Sequence, residues 1–226
     1  MSNPLDRPIW HALSGRQAAF ALGVGPALRF RPDVSPFAAC ADDSPEAQDA
    51  LTAMLQAGER AMFIERKAVA VPPGTLEVER GIGVQMIAER LEVIAPPDGV
   101  IPLGEADAAA MLALAILTRP GPFRTRTHDL SQYWGVKDER GALLAMAGER
   151  LLLPGMAEVS GVCTHPDARG HGLAARLSRH VASEIVRRGE VPFLHVYASN
   201  AGAIGLYDKL GFRRHGEVEA LVVERV

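Results

Sequence analysis

Cysteine is scarce in this chain: 226 residues hold only Cys40 and Cys163, with no paired spacing. That excludes a disulfide scaffold and a cysteine-built zinc cage, and no metal centre is expected. Basic residues are not in excess. The 24 Lys and Arg against 27 Asp and Glu give a net charge of −3, so no global positive field argues for nucleic acid. Long apolar runs are missing as well. The longest, Ala108 to Leu117, is too short to cross a bilayer, and the opening M-S-N-P-L-D-R-P lacks a signal-peptide apolar core. The expectation is a cytoplasmic protein in a reducing compartment, with neither nucleic acid nor membrane as partner. What is present suits a soluble protein: 48% apolar residues, enough for a real core, and 23% charged residues. One large domain or two small ones fit this length.

The first hundred residues read as a small α/β unit. Arg16 to Leu22 suits a short helix, Ala27 to Arg31 and Phe37 to Cys40 suit strands. Ser44 to Ala57 is a better helix, because Ser44 can cap, Pro45 takes the first helical position, and Leu51, Met54 and Leu55 make an apolar face. Ala61 to Glu65 and Gly83 to Ala88 read as strands. Pro96-Pro97-Asp98-Gly99 is the clearest break, which predicts domains at 1–99 and 100–226.

Beyond the break, Glu105 to Thr118 has a helical apolar face of Met111, Leu112, Ala115 and Ile116. Arg119-Pro120-Gly121-Pro122-Phe123 ends it in a rigid loop. Tyr133 to Val136, Leu143 to Gly148 and Met156 to Thr164 then read as an antiparallel meander. Leu173, Leu177, Val181 and Ile185 recur at every fourth position of a helix. The strand Phe193 to Ala198 returns through that helical crossover and should lie parallel to the strand Met156 to Thr164. Asn200 caps a short helix to Leu210, ended by Gly211, and Leu221 to Glu224 closes the sheet.

The pivotal stretch is Glu158 to Ala174, E-V-S-G-V-C-T-H-P-D-A-R-G-H-G-L-A. It is a strand, a Gly-rich turn and a helix start, and a helix N-terminus offers unpaired N–H groups to an anion. Three readings compete for the turn. Gly170, Gly172 and Ala175 fit the dinucleotide pattern G-x-G-x-x-A, but no carboxylate ends the following strand, as that reading requires. Small residues for tight helix–strand packing is the second reading. The third is a pyrophosphate cradle. Arg169, Arg176, Arg179, Arg187 and Arg188 face only Asp167 and Glu184 between His165 and Arg188, so the segment is locally basic. Arg179, Arg187 and Arg188 suit a solvated helix face; Arg169, with Arg176 behind it, is the better phosphate candidate.

Arg169-x-x-Gly172-x-Ala174 resembles the R/Q-x-x-G-x-G/A signature of the GNAT superfamily of N-acetyltransferases. Asn200-x-x-Ala203-Ile204-x-Leu206-Tyr207, followed by Leu210-Gly211-Phe212, resembles its C-terminal signature, in the right order and at the right separation. The wording V-C-T-H-P-D-A-R-G-H-G-L-A and P-F-L-H-V is similar to the branch in which glycine N-acyltransferase-like proteins carry a GNAT half at the C-terminus. The resemblance covers Ile101 to Val226. The N-terminal half carries neither motif, and its strand–helix rhythm is that of a degenerate half of the same fold. The implied fold is a mixed, mostly antiparallel α/β sheet with a central parallel pair splayed for coenzyme A, preceded by a smaller α/β domain.

The resemblance implies transfer of an acetyl group from acetyl-CoA to an amine, by direct attack in a ternary complex. Backbone N–H groups at His171, Gly172, Leu173 and Ala174 would hold the pyrophosphate, with Val162 and Thr164 along the pantetheine arm and Asn200 contacting that arm. Tyr207 is the candidate general acid; its competing reading is a core aromatic. Glu158 is the candidate base, because a carboxylate in an apolar strand is disfavoured unless it faces a cleft or a partner, and partial burial would raise its pKa. His195 is the reserve base, with water as the other possibility. The Pro120 to Thr127 loop is placed on the acceptor side. A catalytically silent acyl-CoA-binding module is the rival from another class. The acceptor is a small-molecule or peptide amine, and the two halves could form its pocket or a homodimer interface.

Overall fold

The computed structural model describes residues 3–88 and 91–226. In chain order it holds α1 (Pro8–Leu13), β1 (Ala21–Leu22), β2 (Ala27–Phe30), β3 (Ala38–Cys40), α2 (Pro45–Ala53), β4 (Arg60–Glu65), β5 (Thr75–Ile87), β6 (Ile101–Leu103), α3 (Ala108–Thr118), β7 (Tyr133–Lys137), β8 (Leu143–Leu153), β9 (Met156–Thr164), α4 (Leu173–Arg187), β10 (Val191–Tyr197), α5 (Ala201–Lys209) and β11 (Arg213–Arg225). The main sheet is ordered β4-β11-β5-β10-β9-β8-β7-β6, and β1-β2-β3 form a small separate sheet. All named pairs are antiparallel except β9 with β10. The fold is therefore the mixed, mostly antiparallel α/β arrangement with one central parallel pair.

The local chemistry of the elements is plain. Ser44 Oγ accepts from the Ala47 N–H at 3.2 Å, with Pro45 at the first position of α2. Leu173, Leu177, Val181 and Ile185 are all buried where α4 packs on β8 and β9. Each such side chain contributes about 1.5–3 kcal/mol by leaving water. The β7-β8-β9 meander turns between β8 and β9 at Pro154 and Gly155, the latter at φ 69°.

One expectation about the first half needs correction. The helix lies at Pro8–Leu13, not at Arg16–Leu22, where a 3-10 turn at Ala18–Phe20 runs into β1. Pro8 starts that helix, and six residues are too few to show a period. In addition, β4 and β5 belong to the main sheet: β5 lies between β10 and β11, and β11 pairs with both β4 and β5. The sheet is thus continuous across the Pro96–Gly99 break. The closing strand is also much longer than Leu221 to Glu224; it spans Arg213–Arg225 along β5.

Candidate active site

The parallel pairing of β9 with β10 covers only Met156, Ala157 and Glu158 against Val191, Pro192 and Phe193. Both strands continue, β9 against β8 and β10 against β5, so a gap opens in the sheet beyond Glu158. A bulge deepens it. Met146 pairs with Cys163 and Gly148 with Ser160, so β9 carries one extra residue at Gly161–Val162. Gly161 sits at φ 63°, and a Cβ there would lie 2.9 Å from the Tyr133 ring. Only glycine meets both demands. Tyr133 also presses on Gly148, where a Cβ would lie 2.6 Å from its ring.

Past the gap, Gly170 (φ 83°) and Gly172 (φ 72°) turn the chain into α4. Helical hydrogen bonding begins with Arg176 N–H to the Gly172 carbonyl at 3.0 Å, and Gly172 offers no side-chain cap. The N–H groups of Leu173, Ala174 and Ala175 are therefore free for a ligand. They border a cavity of about 440 Å³ lined also by Val162, Thr164, Arg169 and Asn200. Thr164 Oγ1 is buried and unpartnered among the described residues. Every cofactor-binding position expected from the sequence is in this wall except His171, which is exposed at the turn. An anion-ready helix end, a basic side chain and unspent donors fit a pyrophosphate tail.

A second cavity, of about 210 Å³, shares Arg119, Pro120, Val162 and Asn200 with the first. Tyr207, His195, Ser160 and Arg150 face it, and Met62, Ile64 and Gly83 supply its wall from the first half of the chain. Pro120, Gly121 and Pro122 of the predicted acceptor-side loop line it too. Tyr207 is held by α5, whose start is capped by Asn200 Oδ1 accepting from Ala203 N–H at 3.1 Å. Its ring packs edge-on against Phe212, with centroids 5.8 Å apart. Burial pushes its phenol up to about 12, so at neutral pH it is a protonated donor.

Glu158 does not face this cavity. It is fully buried, and its oxygens accept from Arg150 Nε at 2.9 Å and Arg150 Nη2 at 2.5 Å. His195 Nδ1 lies 2.8 Å from Oε1. Burial alone would raise its carboxyl, as the sequence reading assumed. Arg150 and His195 outweigh that and hold it at about 2, too weakly basic to take a proton from an amine. His195 is no freer: its Nε2 stands 3.0 Å from Gln85 Nε2, which also donates to the Leu5 carbonyl. That amide donor fixes the tautomer with the proton on Nδ1, toward Glu158.

Gln85 and Arg150 escaped the sequence reading. Gln85 is in the N-terminal half and gave no signal. Arg150 did give one: it interrupts an apolar strand as Glu158 does, and two such charges on adjacent strands can pair. Arg188, expected on a solvated face, instead binds buried Glu149 at 2.8 and 2.9 Å. Cys163 is buried as expected, its thiol raised to about 11 by burial.

A splayed parallel strand pair, a bulge beside it and a glycine-opened helix end form one cleft with an anion-ready wall. Comparison with known proteins makes this specific. The family described as FR47-like protein matches residues 133–221. A crystal structure from Novosphingobium aromaticivorans, of a protein described as an acetyltransferase from the GNAT family, is 44% identical, with all of each chain covered and a TM-score of 0.93. A GCN5-related N-acetyltransferase from Kribbella flavida shares the fold at 18% identity and a TM-score of 0.62, over 96% of this chain and 92% of its own. The ribosomal protein bS18 alanine N-acetyltransferase of Escherichia coli is 36% identical over 75 residues, 33% of this chain and 50% of its own length. The chain thus spans about half the length of the curated relatives it matches. This protein belongs to the GNAT family of N-acetyltransferases and is an enzyme.

Proposed function

We propose that this enzyme moves an acetyl group from acetyl-CoA to an amine bound in the smaller cavity. The supporting observation is that the two cavities share Val162 and Asn200 in their walls, with Tyr207 in the wall of the inner one. The Leu173–Ala175 N–H groups and Arg169 hold the pyrophosphate. Val162 and Thr164 lie along the arm, and Asn200 orients it from the cap of α5. Acetyl-CoA, when bound, supplies an activated thioester. Tyr207 Oη donates a hydrogen bond, then its proton, to the leaving sulfur.

Among the described residues, no side chain with a free basic atom lines the inner cavity: Glu158 is spent on Arg150 and His195, and His195 Nε2 is engaged by Gln85. The amine therefore reacts after losing its proton to water rather than to the enzyme. Glu158 serves instead to fix His195 and Arg150 in the cavity wall. The test is an amine panel with acetyl-CoA and thiol detection. Release of free CoA above the hydrolysis background with at least one amine is expected. Binding of acetyl-CoA with no release for any amine would support the silent module instead.

A further inference from the structure

The walls of the inner cavity mix apolar side chains with polar ones, and the polar ones include two arginines but no carboxylate among the described residues. Arg150 is about nine-tenths buried. Its Nε and Nη2 are spent on Glu158, and its guanidinium lies over the Phe37 ring, 4.8 Å from the centroid. Nη1 has no hydrogen-bond partner among the described residues. It is the atom of Arg150 that approaches the acceptor-side loop, 3.9 Å from where a Gly121 Cβ would stand. A buried, rigidly held cation with an unspent donor edge on a cavity is a built site for an anion.

Arg119 supplies the second cation. It lines the inner cavity, the cofactor cavity and a third, mostly apolar cavity of about 430 Å³ that adjoins the inner one through Met62 and Pro122. Its side chain makes no hydrogen bond or ion pair to the described residues. Its backbone, at φ 52°, is the only non-glycine among them in the left-handed region. Glycine ends helices at this position with little strain, whereas arginine does not. The strain is tolerated where three cavities meet.

We propose that the acceptor carries its own carboxylate on an apolar body, as a small apolar amino acid does, and that this carboxylate sits between Arg150 Nη1 and Arg119. The proposal rests on the acyltransferase reading above. Both cations attract the acceptor's anion, while Met62, Ile64 and Val218 receive its apolar part. A polyamine or other polycation would meet Arg119 and the open edge of Arg150, with no carboxylate lining the cavity among the described residues.

The test compares L-leucine, L-leucinamide, spermidine and an alanine-initiated peptide amide as acceptors, in wild type and in Arg119→Gln. Leucine should exceed leucinamide by about tenfold or more in kcat/KM, in line with a charge-assisted pair. Arg119→Gln should raise KM for leucine about tenfold more than KM for leucinamide, because any effect through the cofactor cavity falls on both acceptors alike. Calorimetry with N-acetyl-leucine and N-acetyl-leucinamide reads the same preference without turnover, and only the acid should bind more weakly to Arg119→Gln. Turnover of leucinamide, spermidine or the peptide equal to that of leucine would overturn the carboxylate site and leave the acyltransferase standing. So would a rise confined to the KM of acetyl-CoA. No CoA release with any amine would overturn both.

Discussion

Arg150 and Glu158 face one another from adjacent strands at a point where β8 carries an extra residue opposite Glu158, between the Glu149–Val159 and Leu152–Ala157 pairs. The bulge lets the guanidinium grip both carboxylate oxygens, at 2.5 and 2.9 Å. Both groups are out of water, so each depends on the other. Through His195 the pair reaches Gln85 of β5, and so the ion pair ties the parallel strands to the N-terminal half.

Removing one member should be severe. Glu158→Gln leaves a buried guanidinium uncompensated and should reduce unfolding free energy by about 3–5 kcal/mol. Urea denaturation checks this; a loss below about 1 kcal/mol would show that the pair is weakly coupled to folding. The pH dependence has a matching sign. The Glu158 carboxyl falls from an ordinary 4.5 to about 2 in the fold. Its contribution is complete above 4.5 and is lost as pH falls from there toward 2. Wild type should lose stability steeply in that window, and Glu158→Gln less so.

Gly161→Ala should damage both fold and site. The change forces an alanine to φ 63° and drives its Cβ to 2.9 Å from Tyr133. A cost of about 1–3 kcal/mol is expected from the backbone alone. Thermal unfolding reads that loss, and acetyl-CoA titration should show weaker binding as the bulge relaxes. An unchanged melting temperature would show that the bulge is not strained into place.

His180 predicts a second pH effect. It is buried on α4, edge-on to Trp134 with centroids 4.4 Å apart, and neither ring nitrogen has a partner among the described residues. Burial lowers its pKa below 6.5. The neutral ring is what the fold accommodates, so stability is complete above 6.5 and is lost as pH falls below it. His180→Leu should flatten the stability profile between about pH 7 and 5; an identical slope in the variant would contradict this.

Tyr207→Phe should lower kcat by about 10²–10⁴-fold, the usual worth of a positioned acid, with little change in acetyl-CoA affinity. With no free base lining the inner cavity among the described residues, kcat/KM for the acceptor should keep rising with pH through the titration of the acceptor's own ammonium group. A plateau set by a group on the enzyme near neutrality would place a base there.

Much of this was legible in the sequence. Periodicity gave α4, the capping residue and proline gave α2, and the crossover rule gave the parallel β9–β10 pair. The glycines and Arg169 marked the proposed cradle because the features that suggest it are local: a turn, a helix end and a charge within a few residues. What stayed hidden was long-range. Nothing in T-L-E-V-E-R-G-I-G-V-Q-M-I says that β5 lies between β10 and β11, or that Gln85 reaches His195. The Glu158 pKa was misjudged because its sign depends on a partner eight residues away across a hairpin. Burial was inferred correctly, but its consequence was reversed by Arg150.

The claim on which the rest stands is that the nucleotide tail docks where β9 gives way to α4. Hydrogen exchange with and without acetyl-CoA tests it directly. Slowed exchange is expected at the amides of residues 162–164 and 172–175, with the β1-β2-β3 sheet unchanged. Protection confined to other segments, with none at 172–175, would contradict it.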